Sequence, residues 1–245
     1  MGVILKITGY SKSYDGGKSY SVNNLSLELK PGDCFGMIGH NGAGKTTTLK
    51  AVVGLLDFQI GEILIDGHDI RTEPIACKTK LAYLPDDPRL PEYMTGIQYL
   101  NFIADVYNID LNERNQLINY YAKLFEIDQK LNLMIGSYSH GMKQKIAVIG
   151  ALIHRPKLMI MDEPFVGLDP IASMTLKKCI SEFCKNGGAV LFSSHVLEVV
   201  EKICNLIIII SKGKTLQMGK MDDITKTESL EKTYAKLIQH HEKSK

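Results

Sequence analysis

The sequence predicts an α/β fold: a core with a mostly parallel sheet, a small antiparallel β subdomain beside it, and a helical subdomain inserted into the chain. Three observations predict it. Short β-branched runs alternate with helical patterns over much of the length. The earliest runs follow one another through tight polar turns with no room for helices. Between about residues 90 and 150 the apolar spacing is helical and no strong strand interrupts it.

Taken in order, "VILKIT" and "LSLEL" open the chain as strands, and "KPGD" turns the second into "CFGMIG". The glycine-rich segment "GHNGAGKTTT" (39–48) follows directly and leads into "KTTTLKAVVGLL", which reads as a helix. "EILIDG" ends in the turn "DGH" and completes the predicted antiparallel sheet. The strand "LAYLP" then enters a proline-rich turn, "LPDDPRLPEYMTG". Beyond it, Ile97, Leu100, Ala104 and Tyr107 share one helical face, and Leu117, Tyr121, Leu124 and Phe125 another. "KLMIMD", "AVLFSS" and "NLIIIISKG" return to strand character. We place the main domain at 1–220, the helical insert at about 87–150, and a short C-terminal helical tail at 221–245, its helix starting near Ser229 and its charged end fraying.

The chain of 245 residues is long enough to bury a substantial core, as one large domain or two small ones. A net charge of +2 gives no warrant for nucleic acid as a partner. The cysteines, Cys34, Cys77, Cys179, Cys184 and Cys204, are odd in number and lack a CxxC spacing, so they read as reduced, buried thiols and not as a disulfide or zinc framework. The N-terminal apolar stretch is too short for a signal peptide, and Lys6 stands where a myristoylation signal needs Ser or Thr. The longest apolar run, "LIIII" at 206–210, is far below the roughly 20 residues that span a bilayer. The expected location is the cytosol, and work at a membrane would require another protein to cross it.

The chemistry begins at Gly39-x-x-x-x-Gly44-Lys45-Thr46. Glycines at this spacing let the backbone curl until several N–H groups point at one anion, and the following helix adds its positive N-terminus. The contacts expected for a nucleoside triphosphate are Gly39, Asn41, Gly42, Ala43, Gly44, Lys45, Thr46 and Thr47. Lys45 reaches the β- and γ-phosphates, and the Thr46 hydroxyl is a ligand for Mg²⁺. The second signal is "KLMIMDEP" (157–164), a strand ending in two carboxylates. Asp162 is placed to hold Mg²⁺ beside the loop, and Glu163 to orient or deprotonate an attacking water.

With these two motifs the chain resembles the ATP-binding subunits of ABC transporters over about residues 3–220. "SYSHGMKQK" (137–145) stands where that family carries its signature, implying that Ser139 and Gly141 bind the γ-phosphate of ATP held by an opposite subunit. Tyr138, His140 and Met142 depart from the pattern, and His140 reads as a side chain pointing away from phosphate. The resemblance further implies that Asp169 in "VGLDP" reaches across a dimer, that His195 in "FSSHVLEVVE" contacts the γ-phosphate as a catalytic switch, and that Tyr14 in "KSYDGGK" stacks on adenine. Where the family has glutamine after "LAYLP", this chain has Asp86. That carboxylate could coordinate Mg²⁺ or repel the triphosphate.

The implied cofactors are ATP and Mg²⁺. The implied partners are a second ATP-binding subunit, identical or related, and an integral membrane permease that keeps the chain on the cytoplasmic face of the membrane. "YLPDDP", "SHGMKQK" and "SLEKTYAKLI" resemble the branch that powers exporters of antibiotics, peptides, lipids or drugs. The alternative is a soluble ABC ATPase acting in cluster assembly, translation or DNA repair.

Overall fold

The computed structural model describes residues 2–243. In chain order, β1 (Leu5–Lys12), β2 (Val22–Leu29) and β3 (Cys34–Ile38) precede α1 (Lys45–Val52); β4 (Ile60–Ile65), β5 (His68–Asp69) and α2 (Pro74–Lys78) lead to β6 (Leu81–Leu84). The helical region holds α3 (Gly96–Val106), α4 (Leu111–Leu124) and α5 (His140–Ile153). Then come β7 (Leu158–Asp162), α6 (Pro170–Lys185), β8 (Ala189–Ser194), α7 (Leu197–Ile203), β9 (Leu206–Ser211), β10 (Lys214–Lys220), α8 (Met221–Ile224) and α9 (Leu230–Lys243).

Two sheets form. A four-stranded antiparallel sheet runs β2-β1-β4-β5, and a six-stranded sheet runs β10-β9-β3-β8-β7-β6, parallel except for the β10 edge. The burial patterns explain the division. Strands β3, β7 and β8 are buried at every position, as a parallel sheet covered on both faces requires, whereas β2 alternates and wets one side. Successive side chains of the central strands point to opposite cores. Phe35, Met37, Leu158, Ile160, Ala189 and Leu191 pack toward α1 and the antiparallel sheet. Cys34, Ile38, Met159, Met161, Val190 and Phe192 pack toward α5 and α6. Among the runs grouped early in the chain, "CFGMI" joins the parallel sheet as β3, and the antiparallel sheet is built from the others.

The helical insert departs from its expected limits. All of α5 from Ile146 to Ile153 is buried, and its contacts extend to β6, so this helix is shared between insert and core and the boundary at 150 falls inside it. On α4 the fully buried residues are Ile118 and Ala122, joined by Phe125 at its C-terminal cap, with Leu117, Tyr121 and Leu124 only half-buried beside them. The apolar stripe is rotated by about one residue from the predicted positions Leu117, Tyr121 and Leu124. The tail is helical, and Thr233 N bonds Ser229 O at its start. It is not peripheral, since Met221, Ile224 and Leu230 are buried in the same core as α5 and β7. The charged end at Ser244 and Lys245 lies outside the described residues. All five cysteines are buried thiols.

The two sheets are also joined through charge. Asp66, in the turn after β4, accepts from Lys80 Nζ at 2.6 Å and Lys157 Nζ at 2.9 Å, the residues that lead into β6 and β7. These hydrogen bonds hold its carboxyl below the ordinary range. The folded state therefore binds fewer protons, so the contribution is complete above the unfolded value of about 3.9 and fades as pH falls through the folded one. Asn tolerates the positive φ of Asp66 (+49°). Asp66→Asn should cost about 0.5–1 kcal/mol at pH 7, after allowance for solvent screening, and progressively less as pH falls below about 4; denaturant melts at pH 7 and across the acid range check this.

Candidate functional site

The loop between β3 and α1 lies at the carboxyl ends of the parallel strands, where open α/β sheets bind ligands. Two glycines make its curl possible. A Cβ on Gly39 would lie 2.4 Å from Ile210 O, and one on Gly44, at φ +108°, 2.4 Å from Ser21 O. Gly44 opens α1 with no side-chain cap and no acidic residue in the first turn, so the first N–H groups remain available to an anion. Lys45 is buried, and its Nζ donates to Gly39 O at 2.6 Å and His40 O at 3.3 Å. Burial lowers its pKa, while the carboxylates of Glu163 and Asp162 oppose the shift.

A cleft of about 390 Å³ brings the predicted residues together. Asn41, Gly42, Gly44, Lys45, Thr46 and Thr47 form one wall, and Asp86, Asp162 and Glu163 the other. Ala43 lies buried beneath the curl, its carbonyl accepting from Gly213 N at 3.0 Å. Burial first, and then the charges of Asp162, Glu163 and Asp87, raise the Asp86 carboxyl above its ordinary value, with His140 opposing. Tyr14 is 64% exposed, with its hydroxyl 3.5 Å from Thr47 Oγ1 and the Lys12 ammonium over its ring at 5.3 Å from the centroid.

One residue that organises the carboxylates was not predicted. Ser193, fully buried on β8 between β3 and β7, donates from Oγ to Asp162 Oδ1 at 2.5 Å and accepts from Glu163 N at 3.1 Å. Glu163 holds φ +48°, unusual for a side-chain-bearing residue, and its Oε2 lies 3.0 Å from His195 Nδ1 and 3.3 Å from His195 N. The only sequence signal for Ser193 was its position two residues before His195 in a buried strand.

The remaining predicted residues lie outside this cleft. Ser139 caps α5, its Oγ accepting from Met142 N at 3.3 Å and keeping its own proton free to donate. Gly141 follows in the first turn. Asp169 caps α6, accepting from Ala172 N at 2.8 Å. None of Ser139, Gly141 or Asp169 lines the cleft. The His140 ring rests against Gly167 of its own chain.

The profile of the ABC transporter family matches residues 22–166. The chain is 33% identical to the ABC-type transporter ATP-binding protein EcsA of Bacillus subtilis, over 83% of this chain and 82% of that one. It is 32% identical to the linearmycin resistance ATP-binding protein LnrL of the same organism, over 90% of this chain and 70% of that one. A solved ATP-binding subunit of an ABC transporter superposes with a TM-score of 0.92 at 30% identity, covering 96% of this chain and 99% of that one.

Because Ser193 holds the Asp162 carboxylate and the Glu163 main chain from behind, Ser193→Ala should slow ATP hydrolysis roughly 10-fold or more and raise the Mg²⁺ concentration needed for half-maximal rate. Steady-state rates across a Mg²⁺ titration check this, and unchanged rates would remove the role given to Ser193.

Proposed function

The chain belongs to the ABC transporter family as an ATP-binding, ATP-hydrolysing subunit, and from that premise we propose that two such subunits close head to tail around two ATP molecules to drive a separate membrane permease, in export of a drug, peptide or lipid.

The observation that carries the dimer is that the nucleotide cleft is one-sided. It contains the phosphate loop and the carboxylates, while Ser139, Gly141 and Asp169 stand elsewhere on the surface with donors and carboxylate unclaimed by it. A second subunit facing it would bring its own Ser139 hydroxyl and the N-terminus of its α5 to the γ-phosphate. Val166, Ile171, Met174 and Val196, exposed around the Asp169 and His195 segments, support an interface there.

Within the cleft, Lys45 exchanges the carbonyls of Gly39 and His40 for phosphate oxygens. The residues fit Mg²⁺, which typically takes one or two protein oxygens and completes its shell with phosphate and water. Among the described residues there is no cluster of His, Cys, Asp or Glu that would cage a metal by protein alone. Thr46 and Asp162 would hold the ion, with Asp86 within the same wall, and the ion would neutralise charge on the phosphates. Glu163 orients and accepts a proton from water, and His195, paired to it, fixes the carboxylate and faces the γ-phosphate.

The permease reading is supported by the match to the ABC transporter family; among the described residues no helix is long and apolar enough to cross a membrane. A groove of about 220 Å³ beside the Asp86 loop, lined by Tyr83, Pro88, Leu90, Ile103 and Tyr107, offers a place for a membrane partner's segment. Such a partner would keep the chain on the cytoplasmic face. Export is supported by the relative named for linearmycin resistance.

Glu163→Gln should bind ATP without turning it over and run at twice the monomer mass with ATP and Mg²⁺. Captured from gently solubilised host membranes, it should retain a multi-helix membrane protein in near-stoichiometric amount. A monomer at saturating ATP would overturn the two-subunit reading, and capture without a membrane protein would overturn the permease.

A further inference from the structure

The loop from Glu163 to Asp169 is held to α5 of its own chain at several points. Lys145 Nζ lies 3.0 Å from Asp169 Oδ2, with the lysine side chain only 13% exposed. Gln144, fully buried, donates from Nε2 to Pro164 O at 3.4 Å. A Cβ on Gly141 would lie 2.9 Å from Gly167 O, and the His140 ring fills the space that a side chain at Gly167 would need. Beyond the loop, Asp169 Oδ1 is fixed by Ala172 N and Glu163 N by Ser193. Glu163 itself sits at φ +48°, a conformation costing on the order of 1 kcal/mol that persists only when the surroundings enforce it.

We propose that Lys145 is a positioning residue for hydrolysis: by holding Asp169 from within its own subunit it fixes the 163–169 loop, and with it the direction in which Glu163 enters the cleft. The start of α5, which serves the neighbouring subunit's nucleotide, and the carboxylate that serves this subunit's own then move as one piece. The inference rests on the roles given to Glu163 and Asp169 above. It separates Lys145 from its neighbour Lys143, whose pairing with the largely exposed Glu92 is an ordinary surface contact.

The test uses the full chain and measures kcat, KM for ATP, and affinity for a fluorescent ATP analogue. Lys145→Met keeps the length of the stem and loses the charge. It should lower kcat roughly 10-fold while KM and nucleotide affinity stay within about two-fold. Lys145→Arg should restore most of kcat, because a guanidinium can pair with the same carboxylate. A kcat for Lys145→Met within about two-fold of the parent, or no recovery in Lys145→Arg, would overturn the inference. Lys145→Gln, held to the same criteria, replaces Lys145→Met if that variant does not fold. Glu163→Gln measured alongside separates the two failures: retained turnover there removes the role of Glu163 itself, whereas lost turnover there with unchanged Lys145→Met removes only the role of Lys145.

Discussion

A lysine ammonium held out of water must have its protons accepted, and that constraint organises this molecule. Lys45 is buried under a loop whose own carbonyls, Gly39 O and His40 O, receive it. Carbonyls satisfy the hydrogen bonds but only partly the charge, so a phosphate is the better acceptor. The loop can present those carbonyls because Gly39 lies against Ile210 O and Gly44 against Ser21 O, at distances no Cβ tolerates. Strand β9 and the residue leading into β2 therefore both shape the phosphate loop.

The parallel sheet supplies the other half of the chemistry. With β8 between β3 and β7, the loop and the Asp162–Glu163 pair end on the same edge of the sheet, separated by one strand. That intervening strand contributes Ser193, and its end contributes His195, so one buried hydroxyl and one exposed imidazole set the carboxylates from behind and in front. The start of α5 and the Asp169 turn are bound to each other, through Lys145 and through the close approach of Gly141 to Gly167, and not to the cleft. On the proposed two-subunit reading, the fold carries two incomplete halves of a site on separate surfaces.

Much of this was legible in the sequence because the chemistry demands particular residues at fixed spacing. Gly39, Gly44 and Lys45 could be read because backbone curvature and anion contact restrict residue choice. Asp162 and Glu163 could be read because an apolar strand ends in carboxylates. Ser193 could not, since a serine inside a buried strand becomes informative only when its neighbour across the sheet is known. The same holds for the Lys80–Asp66–Lys157 junction and for Lys145, whose partners come from distant segments. The α4 face was misplaced by about one residue because periodicity marks a stripe without saying which flank meets α5. The burial of Met221, Ile224 and Leu230 went unread because short polar-flanked helices look peripheral until packed.

The central claim, that one subunit's phosphate loop works with another's α5, is tested most directly by complementation. Chains carrying Lys45→Ala and chains carrying Gly141→Asp should each be nearly inactive alone. Mixed in equal amounts, they should recover up to about a quarter of the parent's turnover per chain, because half of the dimers are mixed and each mixed dimer holds one intact site. No recovery at any ratio, or full turnover by Gly141→Asp alone, would contradict it.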